Sequence, residues 1–157
     1  MKNVFFYETS IGKIGIADNG IAITNLYFDG TKVPPDVNVK ETTLIKEAAT
    51  QLNEYLAGKR KIFEFPLALE GTPFQQAVWV ALKTIPYGET RSYKQIAESI
   101  DRPKACRAVG MANNKNPLAV FIPCHRVIGT NGKLVGYGGG LGVKEKLLNM
   151  EKQYANS

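Results

Sequence analysis

The hydrophobic pattern of this 157-residue chain changes period at Glu70-Gly71, and that change demands an α+β fold in two parts. Over residues 4–28, short β-branched and aromatic runs are broken by Ser10-Ile11-Gly12, Asp18-Asn19-Gly20 and Asp29-Gly30. An Asn-Gly pair between apolar runs marks a hairpin, because the turn it favours needs positive φ at both central positions. An antiparallel meander is predicted, ended by Pro34-Pro35. Thr42 and Thr43 then introduce helical spacing at Leu44, Ile45, Ala48, Ala49, Leu52, Tyr55 and Leu56, with Gly58 as the stop. An extended stretch over residues 62–69 leads to the boundary. Beyond it, Thr72 is an N-cap with Pro73 at the first helical position, opening a helix whose face carries Phe74, Ala77, Val78, Ala81 and Leu82. Pro86-Tyr87-Gly88 ends that helix. Ser92 caps a second one running to Ile100, Asp101-Arg102-Pro103 is a tight turn, and a third helix runs from about Pro103 to Asn113 or Asn114. Residues 1–70 are thus expected to form a small N-terminal α/β domain, and residues 71–157 a C-terminal, mainly helical one.

Charge sharpens the division. Residues 1–70 carry 8 Lys/Arg against 9 Asp/Glu, whereas residues 71–157 carry 12 against 5. A basic half is suited to a polyanion, although a solvated lysine-rich surface accounts for the same numbers. Two short helices joined by a tight turn, the second small-sided and basic, outline a helix-turn-helix. Ala105, Ala108 and Gly110 would let the backbone press against a groove while Arg107 projects beyond it; the bland alternative is close helix packing. The 44% apolar and 22% charged composition suits a globular protein, and no apolar run approaches the length of a membrane span. Glu8 interrupts the N-terminal segment too early for a signal-peptide core, so a cytoplasmic, reducing location with free thiols is expected.

Chemistry concentrates at Ile122-Pro123-Cys124-His125-Arg126-Val127, where one of two cysteines adjoins the only histidine. A thiol is a weak nucleophile until deprotonated, and imidazole is the side chain best matched to that task near neutral pH. Pro123 predicts an extended segment, in which neighbours point to opposite sides, so a water between Cys124 and His125 is the simpler proton path. His125 then needs an acid on its other ring nitrogen, and Glu89, Glu98, Asp101, Glu145 and Glu151 are the candidates in the basic half. Asn116, before Pro117, is placed to brace the turn presenting the thiol. Residues 127–135 are predicted as a hairpin over Asn131-Gly132, followed by a flexible Tyr137-Gly138-Gly139-Gly140 loop and a final amphipathic helix from Val143 to about Gln153. That loop fits neither a Walker nor a dinucleotide pattern and is expected to wall a pocket.

Taken together, these residues resemble the O6-alkylguanine-DNA alkyltransferases. The Pro-Cys-His-Arg motif, Arg107-Ala108-Val109-Gly110, Asn116-Pro117, Ser92-Tyr93, Tyr87-Gly88-Glu89, Tyr137-Gly138-Gly139-Gly140-Leu141 and Lys144-Glu145-Lys146-Leu147-Leu148 leading to Glu151 all fall at the family's spacings. The likeness covers residues 72–157, while residues 1–70 fit in outline as the family's variable N-terminal domain. It implies a ribonuclease-H-like N-terminal domain that supports a C-terminal winged helix-turn-helix-like domain binding DNA and accepting the alkyl group.

By that resemblance, the alkyl group of O6-alkylguanine, or of O4-alkylthymine, passes irreversibly to Cys124 in a single turnover, after the nucleotide is flipped out through the minor groove. His125 is the implied water-mediated base, Glu151 the acid orienting it, Asn116 the hinge, and Tyr93 the phenol that turns the phosphate and protonates the leaving guanine. Arg107 is the implied finger in the base stack, with Lys104, Cys106, Ala108, Gly110, Tyr93 and Arg126 also facing DNA. The implied pocket is lined by Met111 or Asn113 with Val127, Val135, Tyr137, Gly138 and Gly139. No cofactor and no metal are expected, since the N-terminal domain lacks the cysteines and histidines of a zinc site some members carry. The expected partner is double-stranded DNA bearing alkylated guanine, met by a monomer away from membranes. Rival readings are a lesion sensor, which would lack Cys124, a turnover Cys-His hydrolase, which would leave Arg107 unexplained, and a winged-helix DNA-binding protein with a chance cysteine.

Overall fold

A computed structural model describes residues 1–132, 134 and 136–156. The chain forms two compact units, Met1–Leu69 and Glu70–Ser157.

In the first unit, β1 (Lys2–Thr9), β2 (Gly12–Asp18) and β3 (Ile23–Phe28) form the antiparallel meander, with Asn19-Gly20 in the second connection. After Pro34-Pro35 the chain returns as β4 (Val37–Val39), parallel to β1, so the sheet is mixed in the order β3-β2-β1-β4. That fourth strand is too short to stand out in the sequence pattern. Central β2 is buried from Ile14 to Asp18, and α1 (Thr43–Leu56) buries Ile45, Ala48, Ala49, Leu52 and Tyr55. Thr42 caps α1 by accepting from the Ile45 amide, and its hydroxyl donates to buried Asp18. Gly58, at φ 77°, follows the helix in the left-handed region that a helix stop favours.

The second unit opens with α2 (Pro73–Leu82), whose Thr72 and Gln75 form a reciprocal capping box. Ser92 and Gln95 repeat the device at α3 (Tyr93–Ser99), preceded by β5 (Arg91–Ser92). The connection to α4 (Cys106–Asn114) turns at Asp101, which takes φ 60°. The third helix thus begins three residues later than Pro103 predicted, because residues 103–104 are spent in the turn. The Trp79 indole on α2 donates to the Ala112 carbonyl on α4 at 2.9 Å, fixing α4 against α2. The α3–α4 pair has the helix-turn-helix outline, with Lys104, Arg107 and Ala108 exposed and Val109, Ala112 and Asn113 turned inward.

One local expectation is corrected, and another lies partly outside the described residues. β6 (Val127–Ile128) pairs in parallel with β5, so its observed partner is not the second arm of a hairpin; Lys133 and Val135 of that arm lie outside the described residues. The last helix, α5 (Leu141–Tyr154), starts two residues before Val143, immediately after Gly140 at φ 91°. No helix among the described residues is long and apolar enough to cross a membrane.

Candidate active site

The thiol sits on a turn rather than on an extended strand. Pro123 takes φ −78° and ψ 63°, and the Cys124 amide donates to the Ile122 carbonyl at 2.7 Å, which is an inverse γ-turn. A 3-10 turn over Cys124–Arg126 follows, closed by the Arg126 amide on the Pro123 carbonyl. Proline fixes φ but leaves ψ open, so extension was one of two outcomes. Successive side chains in a 3-10 turn diverge by about 120°, so Cys124 and His125 still point apart.

The approach to this turn is held by one side chain. Asn116 accepts from the Leu118 amide and donates from Nδ2 to the Ile122 carbonyl, both at 2.9 Å. The clamp spans residues 118–122, where Val120 takes φ 73°, a conformation unfavourable for a β-branched residue unless its surroundings impose it.

Behind the turn lies a buried ionic cluster. The His125 Nε2–Glu151 Oε2 distance is 2.6 Å, and Glu151 also accepts from Arg126 Nε at 2.8 Å, Arg126 Nη2 at 3.0 Å and the Gly88 amide at 3.3 Å. Of the five acids left open by the sequence, Glu151 is the one against the imidazole. Arg126 Nη1 donates to the Ile85 carbonyl at 2.8 Å, and the guanidinium lies 5.6 Å from the Tyr87 ring. Arg126 was expected to face DNA. It is instead buried, its fork spent on Glu151, because an inward carboxylate offers bidentate pairing that phosphate would otherwise supply.

Lys144 of α5 is fully buried and donates to the Val127 carbonyl at 2.7 Å. Sequence reasoning passed over it. The signal was present, because Lys144, Leu147 and Glu151 fall at i, i+3 and i+7 and form the buried face of α5.

These contacts set the charge states. Burial pushes the Cys124 thiol, 4% exposed, up to about 11, while the Asn116 amide and the Lys144 charge pull the other way. Burial lowers His125, outweighing the support of Glu151. Burial alone would raise Glu151, but the hydrogen bonds and charges of His125 and Arg126 hold it at about 2. Tyr93 is raised, first by burial and then by the Cys124 charge, with an Asn113 hydrogen bond opposing. The resting site is therefore a protonated thiol, a neutral imidazole and an ionised carboxylate. Proton transfer is required before the thiol can attack.

The remaining named residues divide. The half-exposed Tyr93 ring packs on α4 at Gly110, where an added Cβ would lie 3.8 Å from the ring. Tyr137 stands edge-on to the His125 ring with centroids 6.5 Å apart, so its loop does border the site; Gly138 is exposed and Gly139 half-buried. Val127 is buried. Of the pair offered for the pocket, Asn113 faces the Cys124 turn, whereas Met111 is 57% exposed on the outer face of α4 with Arg107. Cys106 is half-buried at the start of that helix. No group of three or more metal-ligating side chains occurs among the described residues.

Comparison with known proteins decides the family. Residues 5–69 match the model of the 6-O-methylguanine DNA methyltransferase ribonuclease-like domain, and residues 73–153 match that of the same family's DNA-binding domain. The chain belongs to the methylated-DNA–protein-cysteine methyltransferases. It is an O6-methylguanine DNA methyltransferase acting in DNA repair. It is 51% identical over 148 residues to the methyltransferase of Methanosarcina acetivorans, covering 92% of this chain and 95% of that one. It is 49% identical over 152 residues to the constitutive methyltransferase of Bacillus subtilis, covering 92% of each chain. The crystal structure of Mycobacterium tuberculosis O6-methylguanine methyltransferase superimposes with a TM-score of 0.92 at 46% identity, over 100% of this chain and 96% of that one. A crystal structure of the same mycobacterial protein in complex with DNA also gives 0.92 at 46% identity, over 97% and 94% of the two chains.

Proposed function

We propose that Cys124 is the alkyl acceptor and that the buried His125–Glu151 pair activates it. The 2.6 Å contact between these two side chains, on the turn that carries the thiol, supports this reading most directly. With Nε2–H donated to Glu151, the imidazole has Nδ1 as its basic nitrogen, and a bridging water carries the thiol proton to it. The imidazolium that forms is stabilised by Glu151. The thiolate displaces guanine from the alkyl carbon, a C–S bond replacing the C–O6 bond, while Tyr93 gives its phenolic proton to the departing ring. A thioether is the product, and no residue here can cleave it, so each molecule acts once. Asn116 holds the thiol turn in register, and no cofactor takes part.

Residues 71–157 bind the damaged duplex and residues 1–70 support them. Lys104, Cys106, Ala108 and Gly110 lie along the DNA face of the α3–α4 pair, and Arg107 fills the gap left by the flipped nucleotide. The Mycobacterium tuberculosis relative crystallised with DNA and the outward placement of Lys104 and Arg107 support this face. Val127, Tyr137, Gly138 and Gly139 border the base pocket. The protein acts as a monomer in the cytoplasm, where Cys106 and Cys124 stay reduced.

The test is intact-mass measurement after incubation with a duplex carrying one O6-methylguanine. A stoichiometric gain of one methyl, mapped to the Cys124 peptide, is expected; an unchanged mass with intact lesion would sink the assignment. Arg107→Ala is expected to slow repair in duplex at least tenfold more than reaction with free O6-benzylguanine, because only the duplex leaves a gap to fill. Equal losses on both substrates would remove Arg107 from that role.

A further inference from the structure

Asn113 is 2% exposed on the inner face of α4, and its side-chain amide touches two elements of the site. Its Nδ2 lies 3.4 Å from the Cys124 carbonyl. A carbonyl only accepts, so nitrogen and not oxygen must face it. The same amide lies beside the Tyr93 phenol and draws its titration down, and the Tyr93 ring rests one helical turn earlier on Gly110. The amide's other end is different. Oδ1 is buried and has no hydrogen-bond partner among the described residues. Buried acceptors are rarely left unpaired, since they lose solvation without return, and an orphan held by two neighbouring contacts points to a partner that arrives from outside.

The missing partner must be a donor, and the substrate restricts which. Under the function proposed above, on which this inference rests, the flipped base sits between the Cys124 turn and the Tyr93 phenol, the two groups Asn113 already joins. Alkylation at O6 removes the hydrogen from N1. N3 and N7 only accept, and N9 is bonded to the sugar. The 2-amino group is the one hydrogen-bond donor left on the base.

We propose that Asn113 is a specificity-determining residue whose Oδ1 accepts a hydrogen bond from the 2-amino group of the flipped O6-alkylguanine. The contact forms only when the base is fully seated, so it reads the base rather than the backbone.

The test compares single-turnover methyl transfer from two duplexes, one carrying O6-methylguanine and the other O6-methylhypoxanthine, which lacks only the amino group. The unaltered protein is expected to favour the guanine lesion. Asn113→Leu, close to the native shape but without the acceptor, should shrink that preference by about 3- to 10-fold, the range of one neutral hydrogen bond. Losing the Nδ2 contact slows both substrates alike, so the ratio of the two rates is what reads Oδ1. An equal loss on both substrates would overturn the proposal by making Asn113 only a brace for Tyr93 and Cys124. An unchanged preference would overturn it by leaving Oδ1 to water. Should the leucine variant not fold, Asn113→Ala removes the same atom without bulk and is judged by the same ratio. Failure of the unaltered protein to take a methyl from O6-methylguanine at all would instead overturn the proposed function, so the two failures are distinct.

Discussion

Cys124→Ala abolishes methyl transfer and leaves affinity for methylated duplex within about twofold. The expectation follows from where the atom is. Sγ lies in a buried turn whose shape is set by backbone contacts: the γ-turn at Pro123, the amide of Arg126 on Pro123, and Asn116 on Ile122. None of these needs the sulfur. Alanine leaves a small space in an otherwise intact core, at a cost of about 1 kcal/mol or less, and removes no charge, because burial holds the thiol neutral. Exposed Lys104, in the turn before α4, and Arg107 on α4 are untouched, so the phosphate contacts and their decline with rising salt persist. Titration of a fluorescent O6-methylguanine duplex, alongside the intact-mass assay, checks both halves. Methylation appearing on Cys106 in the variant would contradict the assignment. A parallel loss of DNA binding would show that the thiol shapes the interface.

How much of this was legible beforehand depends on the range of the interactions involved. Thr72-Pro73, Ser92 and Thr42 announced their helices because a cap is decided within three residues. The Asn19-Gly20 turn and the Gly58 stop were equally local. The family motifs placed Cys124, His125 and Glu151 in one site before any distance was known. The Arg126 pairing escaped, because its partner is 25 residues away and a basic residue after a histidine in a positively charged half looks like a phosphate contact. Lys144 escaped for a similar reason: a lysine between Gly142 and Glu145 resembles solvated surface until the register of α5 turns it inward. The backbone at Pro123 was misjudged because proline decides φ and the neighbours decide ψ. What was missed is where long-range partners override local preference.

The same cluster makes Glu151→Gln the most damaging change expected outside the thiol itself. Glutamine keeps the shape but leaves the buried Arg126 guanidinium without its countercharge, and breaking one side of a buried pair costs about 3–5 kcal/mol. Transfer should slow by roughly 10²- to 10⁴-fold, because His125 loses the group that stabilises its protonated form. Acid dependence separates this loss from simple damage to packing. In the folded protein Glu151 is held at about 2, below its ordinary value of 4.5. Its stabilisation is therefore complete above pH 4.5 and is lost as pH falls toward 2, amounting to about 3 kcal/mol at most. His125, lowered by burial, acts with the same sign at higher pH: the unfolded chain takes up its proton first, and stability begins to fall as pH drops through the ordinary histidine range. Glutamine does not titrate, so in urea unfolding the variant should lose less stability between pH 4.5 and 3 than the unaltered protein does. Parallel loss of stability in both proteins across that window would show that Glu151 is not the acid-sensitive group. A variant that unfolds on this course yet still transfers methyl at the original rate would leave Glu151 as a structural anchor for Arg126 alone.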